Sequence, residues 1–151
     1  MSEPDWDTYY CKHCARYYGW LPASKEFMKE NKKETIKYFT LCATKAIDIF
    51  MFEMEGLLSR DKNRNLPNVV ICEGNSNKVS EIFEVVRPPL GEAIIIGKLQ
   101  DVLTFKDDEY TKKTPLGTYD RDPSRRERLR LKYNYEHLKQ HFPFDIINFD
   151  P

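Results

Sequence analysis

Apolar residues in this chain fall into short unbroken runs separated by helical-period stretches. "YFTLCA" (38–43), "VVICE" (69–73), "EAIIIG" (92–97) and "FDIINF" (144–149) are near-continuous apolar runs bounded by turn residues, the pattern of strands buried on both faces. Between the first two, Ile47, Phe50, Met51, Met54 and Leu58 recur at helical spacing, and this wheel puts Asp48 on the side away from the stripe, as a solvated acid. Val79, Ile82, Phe83 and Val86 repeat the spacing after the second run, and "RPPLG" stops that helix. Ahead of the first strand, "PASKEFMKENKKETIKY" has a charged, helix-compatible composition, with Ser24 as cap and Pro22 just upstream. After the third, "KDDEYTKKTPLGTYDRDP" reads as a long polar loop. Ser124 and Glu127 then form a capping box for a helix to about His137.

Strand, helix, strand, helix, strand, excursion, helix, strand is the order that builds a mostly parallel sheet with helices on its faces. The expected fold class is therefore α/β, a Rossmann-like three-layer domain of about four strands over residues 38–151, with residues 1–37 as an aromatic, helical extension packed on it. The N-terminal run "WDTYYCKHCARYYGWLP" is too aromatic for a disordered tail. At 151 residues one compact domain is the default.

Charge and cysteine usage narrow the class. The 24 basic and 24 acidic residues cancel, so any attraction to nucleic acid has to come from a local patch. No run approaches a membrane span, and the acidic start "MSEPDWDTYY" is unlike a secretory leader, so a cytoplasmic protein without membrane contact is expected. Four cysteines are too few for a disulfide framework, and Cys42 and Cys72 sit in apolar runs that suit a reducing compartment.

In an open parallel sheet, ligands bind beyond the carboxyl ends of the strands. Those positions hold "CATKA" after the first strand, Glu73 after the second, Asp101 after the third and "NFDP" after the fourth. An acid at the second strand's end can accept both hydroxyls of a ribose. Acids at such places are equally favoured by helix caps and dipoles with no ligand present.

This arrangement resembles the class I S-adenosylmethionine-dependent methyltransferases over roughly residues 38–151. The resemblance implies Glu73 as ribose acid, Asp101 as adenine contact, and Cys42 and Ala43 in the loop passing the methionine part of the cofactor. It implies Asn148, Asp150 and Pro151 as the catalytic element facing the methyl group, and "DIINFDP" looks most like the branch that modifies nucleic-acid bases. The glycine-free "LCATKAID" and the lack of strands after the fourth also fit a non-catalytic interaction domain of the same fold, or a half whose sheet is completed by a partner chain or a second copy.

Two further features carry chemistry. "CKHC" sets Cys11 and Cys14 at the spacing of a zinc half-site, and His137 and His141 could complete it if the N-terminus folded back on the last helix; a small zinc-binding interaction module is the reading this supports. "RDPSRRERLRLKYNY" gathers Arg125, Arg126, Arg128, Arg130 and Lys132 among leucines and tyrosines, either a nucleic-acid grip or a solvated helix whose apolar side packs inward. No phosphate-cradling loop or metalloprotease helix motif occurs.

Overall fold

The computed structural model of the protein describes residues 10–41, 46–85 and 94–148. Four short strands form one parallel sheet: β1 (Tyr38–Thr40), β2 (Val69–Glu73), β3 (Ile94–Ile96) and β4 (Ile146–Asn148), in the order β3-β2-β1-β4. Seven helices are described: α1 (Tyr10–Ala15), α2 (Leu21–Glu30), α3 (Ile47–Met54), α4 (Ser76–Val85), α5 (Leu99–Leu103), α6 (Glu109–Lys113) and α7 (Pro123–His141). This is the α/β class expected, with strand order and layering consistent with a Rossmann-like arrangement.

Alternation along the strands sorts the core into two layers. Tyr38, Val69 and Ile71 turn to one face, where they meet Ile49, Met51 and Phe52 of α3, Val79 and Ile82 of α4, and Leu21 of α2. Phe39, Val70, Cys72 and Ile95 turn to the other, against Val102 of α5 and Leu138 of α7. Helices on both faces explain why the strands read as continuous apolar runs. Each fully buried side chain of this size contributes about 1.5–3 kcal/mol.

Several local expectations change. β1 ends at Thr40 rather than Ala43, and residues 42–45 lie outside the described residues. Ser24 does not cap a helix: α1, a π-helical turn (Arg16–Trp20) and α2 follow one another without a break, so Ser24 sits inside α2 and is buried. A chain already helical upstream leaves no orphan amides to cap. The cap of α7 is Asp122, which accepts the Arg125 N–H at 2.9 Å with Pro123 in the first turn, and the helix runs on to His141. The polar excursion contains α6, closed by a capping box in which Asp108 accepts the Thr111 N–H and Thr111 Oγ1 accepts the Asp108 N–H.

Gly56 terminates α3. With φ of +79°, it lets the Leu57 N–H reach back to Phe52 O at 2.8 Å while its own N–H meets Glu53 O at 3.2 Å, the Schellman arrangement. No helix among the described residues is long and apolar enough to cross a membrane.

Candidate functional site at the carboxyl ends of β1 and β4

The chain leaves β1 towards β2 and β3 on one side and returns to β1 on its other side as β4, so the strand order reverses between β1 and β4. That is where an open parallel sheet parts its loops and forms a ligand crevice. Thr40 and Asn148 face each other as register partners at the carboxyl ends of these two strands. The Leu41 N–H donates to Asn148 O at 3.2 Å and closes the pairing there.

A polar cluster lies under this point. Tyr38 and Thr40, two apart on one strand and so on one face, both aim hydroxyls at Asp48 in the first turn of α3. Tyr38 OH donates to Asp48 Oδ2 at 2.5 Å and Thr40 Oγ1 at 2.8 Å. Asn148 Nδ2 adds a third contact to the same oxygen at 3.3 Å and lies 3.5 Å from Thr40 Oγ1. Tyr38 and Thr40 are 0% exposed and Asp48 3%. Asp48 is therefore not solvated as its helical wheel predicts: it points at the strand ends, where partners eight to a hundred residues distant supply the donors. Burial first, and the Asp48 charge second, push the Tyr38 phenol far above its ordinary value, so it remains a donor.

The loop leading into α3 carries strain at the same place. Ala46, buried and immediately before the helix, adopts φ 47° and ψ 39°, a left-handed conformation that costs a non-glycine residue about 1–2 kcal/mol. Such outliers persist only where surrounding contacts over-determine them, and here the Phe50 N–H takes the Ala46 carbonyl at 3.1 Å.

The other expected site residues are placed as follows. Glu73 ends β2, half-buried, and its Oε1 accepts the Asn75 N–H at 2.8 Å, a turn-forming bond that uses one carboxyl oxygen. Asp101 is exposed in the first turn of α5, a position that suits an acid on dipole grounds alone. Cys42, Ala43, Asp150 and Pro151 lie outside the described residues, as does the Cys11 side chain. Cys14 is a half-buried free thiol. His137 and His141 meet edge-to-face with ring centroids 4.9 Å apart, and Tyr133 stacks on His137. Among the described residues, no group of three or more His, Cys, Asp or Glu side chains is placed to hold a metal ion.

The basic residues of α7 are engaged within the chain. Arg128 donates to Lys106 O at 2.7 Å and Asp108 Oδ2 at 3.2 Å, with its guanidinium 5.1 Å from the Phe105 ring centre. Lys132 Nζ donates to the carbonyls of Thr111 and Thr114. Arg125 lies over Tyr110, whose hydroxyl donates to Asp120, and Arg126 lies over Tyr119. Arg130 pairs with Glu127 at 2.6 Å. The helix thus straps the excursion 104–122 to itself.

That strap stands at the carboxyl-end side of the sheet. α7 starts from the carboxyl side of β3 and must descend to the amino end of β4, and buried Asn134 ties it to the last carbonyl of β3 through Nδ2 to Ile96 O at 3.0 Å. The stretch from Arg125 to Asn134 is about 14 Å of helix at about 1.5 Å per residue, so it projects past the strand ends as a wall.

Comparison with protein-family models, curated proteins and solved structures finds no match to this chain. The sheet order defines it as a parallel α/β domain, with a buried polar cluster at its point of reversal.

Proposed function

We propose that this chain is an S-adenosylmethionine-binding, methyltransferase-like domain that acts on nucleic-acid bases. The observation that carries the reading is the polar cluster of Tyr38, Thr40, Asp48 and Asn148 at the point where an all-parallel β3-β2-β1-β4 sheet reverses. A buried polar group set into an apolar core is costly, and its place is where a ligand would be read.

The residues present fit such a cofactor at one end. Glu73 at the close of β2 keeps Oε2 for a ribose hydroxyl while Oε1 holds the Asn75 turn, since an ionised carboxyl offers about four acceptor positions. Asp101, exposed after β3, would meet the adenine edge, and Cys42 and Ala43 would line the methionine part. Asn148, with Asp150 and Pro151, would face the reacting group. The cofactor supplies an already activated methyl group, so the chain's work is to bind and orient. The cations of α7 hold the excursion in place, and nucleic acid would run along the wall that the two form together. Zinc at Cys11 and Cys14 would steady the N-terminal helix against the domain.

A second reading, an interaction domain of the same fold completed by a partner chain, is favoured by one observation. Among the described residues β4 pairs only with β1, and Ile147 on it is 47% exposed.

Calorimetric titration with S-adenosylmethionine separates the two. The enzyme reading expects saturable binding that weakens at least about tenfold in Glu73→Ala, the loss of one or two charge-assisted hydrogen bonds. No heat in either protein up to millimolar cofactor refutes it.

A further inference from the structure

The strap divides the basic residues of α7 into two sets. Arg128 and Lys132 are taken up in holding residues 104–122. Arg126, Arg130 and Tyr133 recur at i, i+4 and i+7, one stripe of the helix, and all three are exposed. Tyr119 stands beside the head of that stripe and is 72% exposed. The Arg126 guanidinium carbon lies 5.7 Å from its ring centre, and Arg126 Nη1 donates to its hydroxyl at 3.2 Å. Tyr133, 48% exposed, lies parallel to the His137 ring one turn further on. Two open aromatic rings thus flank two arginines along about 10 Å of helix. Arg130 pairs with Glu127, but both side chains are about half exposed, so the pair holds Arg130 only weakly. Residues 104–133 carry nine basic and six acidic side chains, so in a chain whose charges cancel the positive excess gathers here. Large rings kept in water on a stripe of cations mark an interaction surface.

We propose that this stripe binds single-stranded nucleic acid, with Tyr119 and Tyr133 as platforms on which bases stack and Arg126 and Arg130 on the phosphates between them. The inference rests on the nucleic-acid reading above and narrows it to unpaired strands. An aromatic platform needs a base with a free face; neighbouring pairs cover those faces in a duplex, whereas an unpaired strand offers each base in turn. An acidic peptide would engage the arginines alone and leave both rings in water. A tyrosine has only two side-chain torsions to freeze, and each ring here is already braced by a neighbour, so little freedom is lost on stacking. Stacking reads no base edge, so the surface tolerates any sequence.

Fluorescence anisotropy of a labelled oligothymidylate of about ten nucleotides, titrated with the full chain, reads the affinity directly. The single strand is expected to bind at least about tenfold more tightly than a blunt duplex of the same length, the worth of one stacked base. Log affinity should fall against log salt with a slope of about −1.4 or steeper, two phosphate contacts at about 0.7 each, and Arg130→Ala should flatten it by about 0.7. Tyr119→Ala and Tyr133→Ala should each weaken binding about tenfold, while Tyr119→Phe and Tyr133→Phe, which keep the rings, should retain most of it. All three substituted positions are exposed, so thermal melts should match wild type and tie each loss to the surface. No binding, equal binding of the duplex, alanine variants that bind as well as wild type, or polyglutamate competing as well as the oligonucleotide at equal charge would each overturn the inference. A separate titration with S-adenosylmethionine keeps the two ideas apart. Oligonucleotide binding without cofactor binding removes the methyltransferase reading and leaves this surface standing; cofactor binding without oligonucleotide binding does the reverse.

Discussion

Replacing Asp48 with leucine, a residue of similar size, should cost far more than its surroundings suggest, and most of the loss should return when two more polar groups are removed. In Asp48→Leu the hydroxyls of Tyr38 and Thr40 lose their acceptor while both remain 0% exposed. Each stranded buried polar group costs about 1–3 kcal/mol, so the single variant should lose about 2–5 kcal/mol. Asn148 is only half-buried and can turn to water, so it adds little. Adding Tyr38→Phe and Thr40→Val removes the orphans, and the triple variant should recover to within about 1 kcal/mol of wild type. Urea denaturation followed by circular dichroism measures each step, with equal slopes required for the comparison. A single variant costing less than about 1 kcal/mol would mean that water already reaches the cluster. A triple variant no more stable than the single would mean that the polar bonds themselves hold the sheet. Either result refutes the account of a sealed, replaceable network.

Other consequences are as direct. Because Tyr38 keeps its proton when folded but ionises near pH 10 when unfolded, stability should fall as pH rises above about 10, and Tyr38→Phe should flatten that alkaline limb in pH-dependent melts. Burial, and after it the Glu73 charge, pushes the Cys72 thiol up to about 11, and its Sγ lies 3.4 Å from Gly97 O. Alkylation mapped by mass spectrometry at pH 8 should therefore label Cys72 roughly a hundredfold more slowly than an ordinary exposed thiol, and comparable rates would contradict its burial. Gly97 holds φ +154° with room for a methyl group, so Gly97→Ala should lose about 1–3 kcal/mol through the backbone alone, as read by denaturant midpoint. The Thr111 amide above all, with help from Arg128, holds the Asp108 carboxyl below the usual range, so the strap over 104–122 should loosen as pH falls below about 4. Hydrogen exchange in that segment should rise severalfold at pH 3 and, at pH 7, in Arg128→Ala; unchanged protection would show that the ion pair does not hold it.

The strands were legible because a sheet covered on both faces leaves an unbroken apolar signature. Val69–Glu73 is read to the residue, while Tyr38–Ala43 overshoots because Leu41 is apolar but already past the last ladder pair. α5 and α6 were missed since five-residue helices are too short to show a period, though Asp108 and Thr111 at capping spacing carried a local signal for α6. The excursion's attachment to α7 was invisible because Arg128 meets Asp108 across twenty residues. Asp48 was misjudged for a related reason: a helical wheel reports only the helix's own stripe and cannot see the strand end it abuts. One clue existed. Tyr38 and Thr40 put two hydroxyls on the same face of a strand expected to be buried, and those hydroxyls need an acceptor nearby. Asn148 stands out in the sequence only as a strand-end residue, whereas its partners become apparent once β1 and β4 lie side by side.

The pairing of β1 with β4 is pinned by an acid at each end. Asp48 gathers donors at the carboxyl end, and at the amino end Asp145 accepts the Lys37 N–H and pairs with Lys33, both at 2.8 Å. Lys37 and Asp145 are 108 positions apart, and closing a loop of that length from an unstructured chain costs about 4 kcal/mol of entropy. The β1–β2 pairing spans far less chain and has its own apolar layer to reward it. Folding should therefore build β1, β2 and α3 first and add β4 late, completing the β1–β4 pairing only as the transition state is passed. The polar cluster that Asn148 joins at the carboxyl ends of β1 and β4 would then be the last feature assembled on folding and the first surrendered on unfolding.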